Sequence, residues 1–299
     1  MIRDSESRPG RLVVGLALAL GLALVARPAK AQEPVRPQNG FFVTSDGVRL
    51  HYLEAGPARA RTIVLVPGWT MPAWIWGPQI TALSRSYHVI AFDPRGQGDS
   101  EVASSGYEPG RRGQDIAELI ETVDSRPVLL VGWSLGVLDV LACIHRRGDG
   151  AVAGLVLVDN SVGEEPAPLP ERARPRRGPR PPHEEYMREF VRSMFHKPQS
   201  EAYLEMLTEA TLRTPLYASA ALLAYPEPRS YWRESVYSTA KPLLYAVRPG
   251  FAGQALNLEH DRPGTEIAIF PNAGHALFVD EAFRFNALIQ DFIRRRVWP

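Results

Sequence analysis

Cysteine is almost absent from the sequence. Cys143 is the only one among 299 residues, which excludes an intramolecular disulfide and a cysteine-rich metal site. The sequence also lacks an H-E-x-x-H zinc motif, a phosphate-binding glycine loop and a dinucleotide fingerprint. The sequence therefore implies no metal and no cofactor.

An excess of charge of one sign is missing as well. The 34 Lys and Arg residues balance 33 Asp and Glu residues, which leaves a formal net charge of +1. Such a chain has no overall field that attracts a phosphate backbone, and we expect no nucleic-acid partner. The one basic stretch, residues 172–180, is interleaved with proline, which is typical of a solvated, extended loop.

Long hydrophobic runs are also absent. The apolar run at residues 12–26 has about 15 residues, fewer than the roughly 20 that a membrane-spanning helix needs. Basic residues precede it, and Ala29-Lys30-Ala31 follows, with small residues at the two positions that a signal peptidase reads. We predict that residues 1–31 are a signal peptide and that the protein is exported, to the periplasm or the medium, without a stable membrane anchor. An uncleaved anchor is the alternative.

Short apolar runs alternate with helical segments along the rest of the chain. Runs that are apolar on both faces predict strands buried on both sides of a sheet. After a predicted antiparallel hairpin at residues 41–53, these runs lie at residues 62–66, 88–92, 128–131, 155–158, 243–247 and 266–270. The alternation predicts an α/β fold whose mostly parallel sheet is flanked by helices.

One stretch interrupts this alternation. Residues 162–241 have no strand pattern, and their second half is helix-like and rich in aromatic residues. The stretch follows the run at 155–158, where it would lie over the carboxyl edge of the sheet, the edge at which open α/β folds bind ligands. We predict a helical cap at 162–241 on a core formed by 32–161 and 242–299. Tyr231 and Trp232 are expected to influence the preference for substrate chain length.

Residues 132–136 read Gly-Trp-Ser-Leu-Gly, between a predicted strand and a predicted helix. This is the G-x-S-x-G nucleophile elbow in the strand-turn-helix context that supports it. The flanking glycines permit a sharp turn that leaves the Ser134 hydroxyl exposed. Serine is a weak nucleophile at neutral pH, so a base must take its proton and a third group must orient that base.

The chain resembles the α/β-hydrolase superfamily in this elbow and in three further motifs. Val-Pro-Gly-Trp at 66–69 matches the oxyanion loop, and Asn-Ala-Gly-His at 272–275 matches the loop of the catalytic histidine. Residues 93–100 match the D-x-R-G-x-G-x-S segment, which is expected to fix loops without a catalytic role. In order and spacing, the motifs cover residues 41–298 apart from the insertion. The resemblance implies an α/β-hydrolase fold with a helical cap.

The resemblance also implies roles for individual residues. His275 is the expected base for Ser134. The backbone N–H groups of Trp69 and Leu135 are expected to form the oxyanion hole. The side chains of Trp69 and Trp133 are expected to contact the substrate.

The triad acid departs from the family pattern. Most α/β-hydrolases carry it after the strand that precedes the histidine strand, but here the run at 243–247 is followed by Arg248 and Pro249. The neighbouring run at 155–158 does end in Asp159, and adjacent parallel strands finish at the same edge of a sheet. We predict that Asp159 orients the histidine. The alternatives are Glu164, Glu259 and Asp261.

These assignments predict an exported serine hydrolase that cleaves small-molecule carboxylic esters through an acyl-serine intermediate. Haloalkane dehalogenases and epoxide hydrolases have Asp at the elbow, so Ser134 argues against both. The alternatives are a cofactor-free perhydrolase or haloperoxidase, a proline-releasing aminopeptidase, an esterase of acyl-carrier-protein methyl esters, and a binding protein without catalysis. The predicted signal peptide argues against the methyl-ester esterase, which works in the cytoplasm. The acyl group, the alcohol group and the oligomeric state are not specified by the sequence.

Overall fold

Eight strands form one sheet in the part of the chain that the structure describes. The computed structural model describes residues 1, 35–123, 127–168 and 181–299, so the predicted signal peptide and the basic stretch at 172–180 lie outside the described residues apart from Met1. The strands are β1 Gln38–Val43, β2 Arg49–Ala55, β3 Thr62–Val66, β4 His88–Asp93, β5 Val128–Trp133, β6 Val152–Val158, β7 Leu243–Val247 and β8 Thr265–Ile269.

The sheet has the order β1-β2-β4-β3-β5-β6-β7-β8. Strands β1 and β2 form an antiparallel hairpin, and β2 pairs with β4 in the same sense. All other neighbours are parallel. The predicted α/β fold with a mostly parallel sheet is therefore confirmed. Its parallel strands read as unbroken apolar runs because helices cover both faces.

Helices lie on the two faces of the sheet. They are α1 Gly77–Leu83, α2 Pro109–Thr122, α3 Leu135–Arg147, α4 His183–Ser193, α5 Glu201–Leu212, α6 Leu216–Leu222, α7 Arg229–Tyr237, α8 Ala252–Asp261, α9 Leu277–Asp280 and α10 Ala282–Phe292. Successive side chains of a strand point to opposite faces. Val64 and Val66 accordingly join a core with α2 and α3, whereas Ile63 and Leu65 join a second core with α1 and α10. None of the described helices is long and apolar enough to cross a bilayer.

The described part of the insertion between β6 and β7 contains the four helices α4 to α7 and no strand. Helix α7 packs on α3, the helix that follows the elbow. Trp232 is 5% exposed in the core beneath α7, and the Tyr231 ring lies 4.1 Å from the His145 ring of α3. These contacts join the insertion to the core, and the influence of Tyr231 and Trp232 on the preference for substrate chain length stays a prediction.

Buried Arg95 connects three separate parts of the fold. Its Nε and one terminal nitrogen donate to the two carboxylate oxygens of Asp115 on α2, at 2.6 and 2.7 Å. The other terminal nitrogen donates to Asp46, in the turn between β1 and β2, at 3.0 Å. Burial raises the pKa of Asp115, and the hydrogen bonds from Arg95 oppose that shift. Arg95 therefore compensates a carboxylate that would otherwise be costly to bury.

We expect the Arg95→Met variant to lose about 3–5 kcal/mol of unfolding free energy, the usual cost of removing one partner from a buried ion pair. Urea denaturation measures the loss. The control is Arg147→Met, because Arg147 and Glu121 form an exposed pair with both side chains 46% accessible. That variant should lose less than about 1 kcal/mol. Equal losses in the two variants would contradict a special role for the buried pair.

Candidate active site

Ser134 lies at a strained turn between β5 and α3. Its φ of 54° and ψ of −122° are unusual for a residue with a side chain, as expected at a nucleophile elbow. Glycine at position 136 is required by close packing, because a Cβ there would lie 2.5 Å from the Val66 carbonyl oxygen. The start of α3 thus packs directly against the loop that follows β3. The Asn160 amide braces the turn by donating to the Ser134 carbonyl at 2.8 Å.

The structure brings Ser134, His275 and Asp159 into one hydrogen-bonded chain. The Oγ of Ser134 lies 2.8 Å from Nε2 of His275. The Nδ1 atom of the same ring lies 2.6 Å from Oδ2 of Asp159. With the ring proton on Nδ1, Nε2 is free to accept the serine proton. These distances satisfy the geometry that nucleophilic catalysis by serine requires.

Asp159 reaches the histidine because β6 and β7 are neighbours. Its backbone N–H donates to the Ala246 carbonyl of β7 at 2.9 Å, which holds the end of β6 at the edge where β7 also ends. The side chain is fully buried. The three alternative acids lie elsewhere: Glu164 pairs with Arg233 and Tyr237, and Glu259 and Asp261 lie exposed near the end of α8.

Arg248 is a member of the site that the sequence analysis did not identify. It directly follows β7, at the place where the family pattern has its carboxylate. Its backbone N–H donates to Oδ1 of Asp159 at 2.9 Å, and its Nε donates to Oδ2 at 2.6 Å. A terminal nitrogen lies 3.5 Å from Nδ1 of His275. The signal in the sequence was the missing acid after β7. A cation occupies the position where the family has its carboxylate, and the acid follows the neighbouring strand β6 instead.

The two residues predicted to supply the oxyanion-hole N–H groups lie on chain segments next to the nucleophile. Leu135 is the first residue of α3, where a backbone N–H has no acceptor within its own helix. A Cβ at Gly68 would lie 2.9 Å from the Ser134 Cβ, so the chain entering Trp69 passes against the serine. Buried Gln97 fixes this loop, since its amide donates to the Gly68 carbonyl and accepts from the Thr70 N–H. Sequence reasoning missed Gln97 because it occupies a variable position of its motif.

Trp133, whose side chain was predicted to contact the substrate, lies in the core. The side chain is 1% exposed and lies beneath the histidine, with ring centroids 5.1 Å apart. Its indole N–H donates to the backbone carbonyl of His275 at 2.8 Å. The side chain belongs to the same core as that of Val131, two residues earlier on β5, because alternate residues of a strand face the same side of the sheet. Trp133 therefore supports the histidine loop.

Comparison with known proteins identifies the family. The family model described as "Alpha/beta hydrolase family" matches residues 63–288, more than half of the chain. The chain belongs to this family. A non-heme chloroperoxidase of Streptomyces lividans is 37% identical over 120 residues, which are 40% of this chain and 44% of that protein. A bifunctional esterase/perhydrolase of Acinetobacter calcoaceticus is 30% identical over 120 residues, again 40% and 44% of the two chains.

Solved structures extend the likeness to the whole fold. An esterase from Rhodococcus sp. ECU1013 superposes with a TM-score of 0.71 at 23% identity, over 88% of this chain and 99% of that one. Identity at this level establishes the shared fold alone. The sequence matches span less than half the length of the two curated relatives.

Trp69 of this alpha/beta hydrolase lines a cavity of about 530 Å³. Its indole N–H donates to the Ser219 carbonyl of α6 at 2.7 Å, and its ring packs edge-on against Phe190 of α4 at 5.1 Å. The predicted contact of the Trp69 side chain with substrate agrees with this position. The other lining residues are mostly apolar or aromatic: Pro181, His183, Tyr186, Leu216, Ser219 and Ala220.

Buried Asp280 joins the histidine loop to the insertion. Its Oδ2 accepts the backbone N–H groups of Gly274 and His196, each at 2.7 Å. Its Oδ1 accepts the N–H of Lys197 at 3.2 Å. A carboxylate that accepts several backbone N–H groups is strongly held. The loop between α4 and α5 is therefore fixed to the residue that precedes His275.

One group of side chains in the described ranges is close enough to share a cation: His51, Asp93 and Asp99. Protein contacts already occupy these ligands. Nδ1 of His51 lies 2.6 Å from Asp93, which also accepts the backbone N–H groups of Ala73 and Asp99. The Asp99 carboxylate pairs with Arg213. These contacts give the group a structural role in the loops that follow β4.

We expect Asp159→Asn to keep the fold and to lower kcat for ester hydrolysis by up to about 10⁴-fold, because the amide cannot hold the histidine in the required tautomer. Labelling of Ser134 by a fluorophosphonate should slow in parallel. Glu259→Gln is the matched control and should behave as wild type, and circular dichroism checks the fold of both variants. Activity of Asp159→Asn within a few-fold of wild type would contradict the assignment.

Proposed function

We propose that this alpha/beta hydrolase is a serine esterase that cleaves carboxylic esters through an acyl-serine intermediate. The observation that carries the proposal is the continuous hydrogen-bonded chain from Ser134 through His275 to Asp159 at a nucleophile elbow. The named esterase among the solved structures and the esterase/perhydrolase among the relatives support it.

The acylation step follows from this geometry. Oγ of Ser134 attacks the ester carbonyl while Nε2 of His275 takes the hydroxyl proton. The carbonyl oxygen becomes an oxyanion that accepts hydrogen bonds from the N–H groups of Leu135 and Trp69. Removal of one such donor typically costs about 3 kcal/mol of transition-state stabilisation. The tetrahedral intermediate then breaks its bond to the alcohol oxygen, which receives the proton from His275.

Deacylation reverses these roles. His275 takes a proton from water as the water oxygen attacks the acyl carbon. Collapse of the second intermediate breaks the bond to Oγ, which regains its proton from His275, and the carboxylic acid leaves. Asp159 stabilises the imidazolium in both steps without taking up a proton itself.

A second candidate activity is perhydrolysis. The relatives named as chloroperoxidase and as esterase/perhydrolase favour it. Hydrogen peroxide would replace water in deacylation: a peroxide oxygen attacks the acyl carbon, the proton passes through His275 to Oγ, and a peracid leaves. The same site therefore serves both reactions, and the nucleophile in the second step distinguishes them.

The test is a panel of p-nitrophenyl esters of increasing chain length, assayed with the mature protein. We expect hydrolysis by wild type and a loss of at least about 10³-fold in Ser134→Ala, because the acyl intermediate cannot form. Parallel assays test the alternatives. Acetate with hydrogen peroxide and bromide tests perhydrolase or haloperoxidase activity, and a prolyl anilide with a free amino terminus tests aminopeptidase activity. The proposal would be refuted if Ser134→Ala still hydrolysed esters. A binding protein would be indicated if the wild-type protein neither reacted with a fluorophosphonate nor cleaved any substrate.

We further propose that the hydrolase is exported by the signal peptide at residues 1–31. The basic residues, the apolar run and Ala29-Lys30-Ala31 support this. Expression in a bacterial host followed by mass spectrometry of the exported fraction should give a chain that begins at or near Gln32. An intact residue 1–31 segment on exported protein would indicate an uncleaved anchor instead.

A further inference from the structure

Arg248 and His275 share one oxygen of the triad acid. Oδ2 of Asp159 lies 2.6 Å from both Nε of Arg248 and Nδ1 of His275. The carboxylate is fully buried, whereas the Arg248 side chain is 40% exposed. In an ordinary triad the only cation near the carboxylate is the imidazolium, which is present only while the histidine is protonated. Here a second, permanent cation is present.

This cation bears on the charge of the histidine in two ways. The Arg248 guanidinium lies 3.5 Å from Nδ1, so an imidazolium would form beside a like charge. The guanidinium also partly neutralises Asp159, which weakens the attraction of that carboxylate for an imidazolium. Both effects have the same sign. Arginine keeps its charge throughout the accessible pH range, so the effects do not fade as the pH falls.

Among the residues that the structure describes, the other groups around His275 do not supply a competing positive charge. Ser134 and the Trp133 indole are uncharged. Tyr245 of β7 donates to the Asn160 carbonyl, and burial, with the nearby Asp159, raises its pKa well above the usual value, so it stays neutral. Asp280 of α9 lies behind the loop, where it accepts the Gly274 N–H.

We propose that Arg248 is a positioning residue that fixes Asp159 beneath His275 and keeps the imidazole neutral at lower pH than an Asp–His pair alone would allow. A neutral imidazole is the form that accepts the serine proton. The consequence for turnover rests on the proposed function: catalysis should extend further to the acid side. The protonation of His275 itself does not depend on which substrate the protein cleaves.

The experiment is an NMR titration of the mature protein labelled with ¹³C in its histidine rings. The His275 signal is identified by its absence in His275→Gln. In Arg248→Met the midpoint of its titration should rise by about 0.5 to 1 pH unit, the effect of removing one partly solvated neighbouring charge. Arg248→Lys, which keeps the charge, should stay within about 0.2 unit of wild type on the same grounds.

The matched control is Arg233→Gln. Arg233 is also a half-exposed cation paired with a buried carboxylate, Glu164, but neither contacts His275. Its removal should leave the titration unchanged. Because the Arg248 pair is partly exposed, 1 M salt should raise the wild-type midpoint and leave that of Arg248→Met nearly fixed.

An unchanged midpoint in folded Arg248→Met would overturn the proposal. So would an equal shift in Arg248→Lys, because the lost geometry and not the charge would then be responsible. If the Met variant does not fold, a wild-type midpoint that does not move with salt overturns it. Wild type that cleaves no ester but titrates as expected would count against the proposed esterase function alone. The acid limb of kcat/KM for an ester should move together with the NMR midpoint.

Discussion

The buried carboxylate of Asp159 is the group on which the site depends. A single negative charge without solvent contact is costly in a protein interior unless donors surround it. Asp159 has three: the backbone N–H of Arg248, its guanidinium and the imidazole of His275. The first two donors come from the residue that follows β7 and the third from the histidine loop, so the carboxylate holds the ends of β6 and β7 and the histidine loop in one arrangement. The geometry at Ser134 follows from that arrangement.

The histidine loop has a second anchor on its other side. Asp280 binds the Gly274 N–H and the loop between α4 and α5, and Trp133 holds the His275 carbonyl from below. The imidazole is thus fixed through its backbone by two contacts and through its ring by Asp159. A catalytic group held in this way loses little entropy when it reacts. The same contacts make this side of the insertion a fixed part of the site.

Local sequence patterns were enough to predict the sheet and two residues of the site, Ser134 and His275. The run at 128–131 and the glycines around Ser134 indicate a strand, a sharp turn and a helix within ten residues, and all three are present. Asp159 was predictable because neighbouring parallel strands end at one edge, which requires only the order of β6 and β7. These inferences depend on short-range sequence or on one topological rule.

The missed residues depend on contacts between distant parts of the chain. Trp133 was expected to face the substrate because it lies next to the nucleophile in sequence, but its side chain packs in the core and donates to the His275 carbonyl. Asp280 meets a loop that is 84 residues away in sequence, and no local pattern indicates that contact. The packing of α7 on α3 buries Trp232, and no local pattern indicates that contact either. The sequence supplies the residue types in these cases, and tertiary packing decides their neighbours.

The triad acid follows β6 in this chain and not β7, and the charges at the two strand ends show how the fold accommodates this change. The histidine needs an anion at the carboxyl edge of the sheet, and either strand end is within reach of the ring. Once Asp159 supplies that anion from β6, a second carboxylate after β7 would repel it at close range in a buried setting. A cation at that position is stabilising instead, and Arg248 occupies it. The family's acid position is therefore still electrostatically coupled to the histidine, but with the opposite sign.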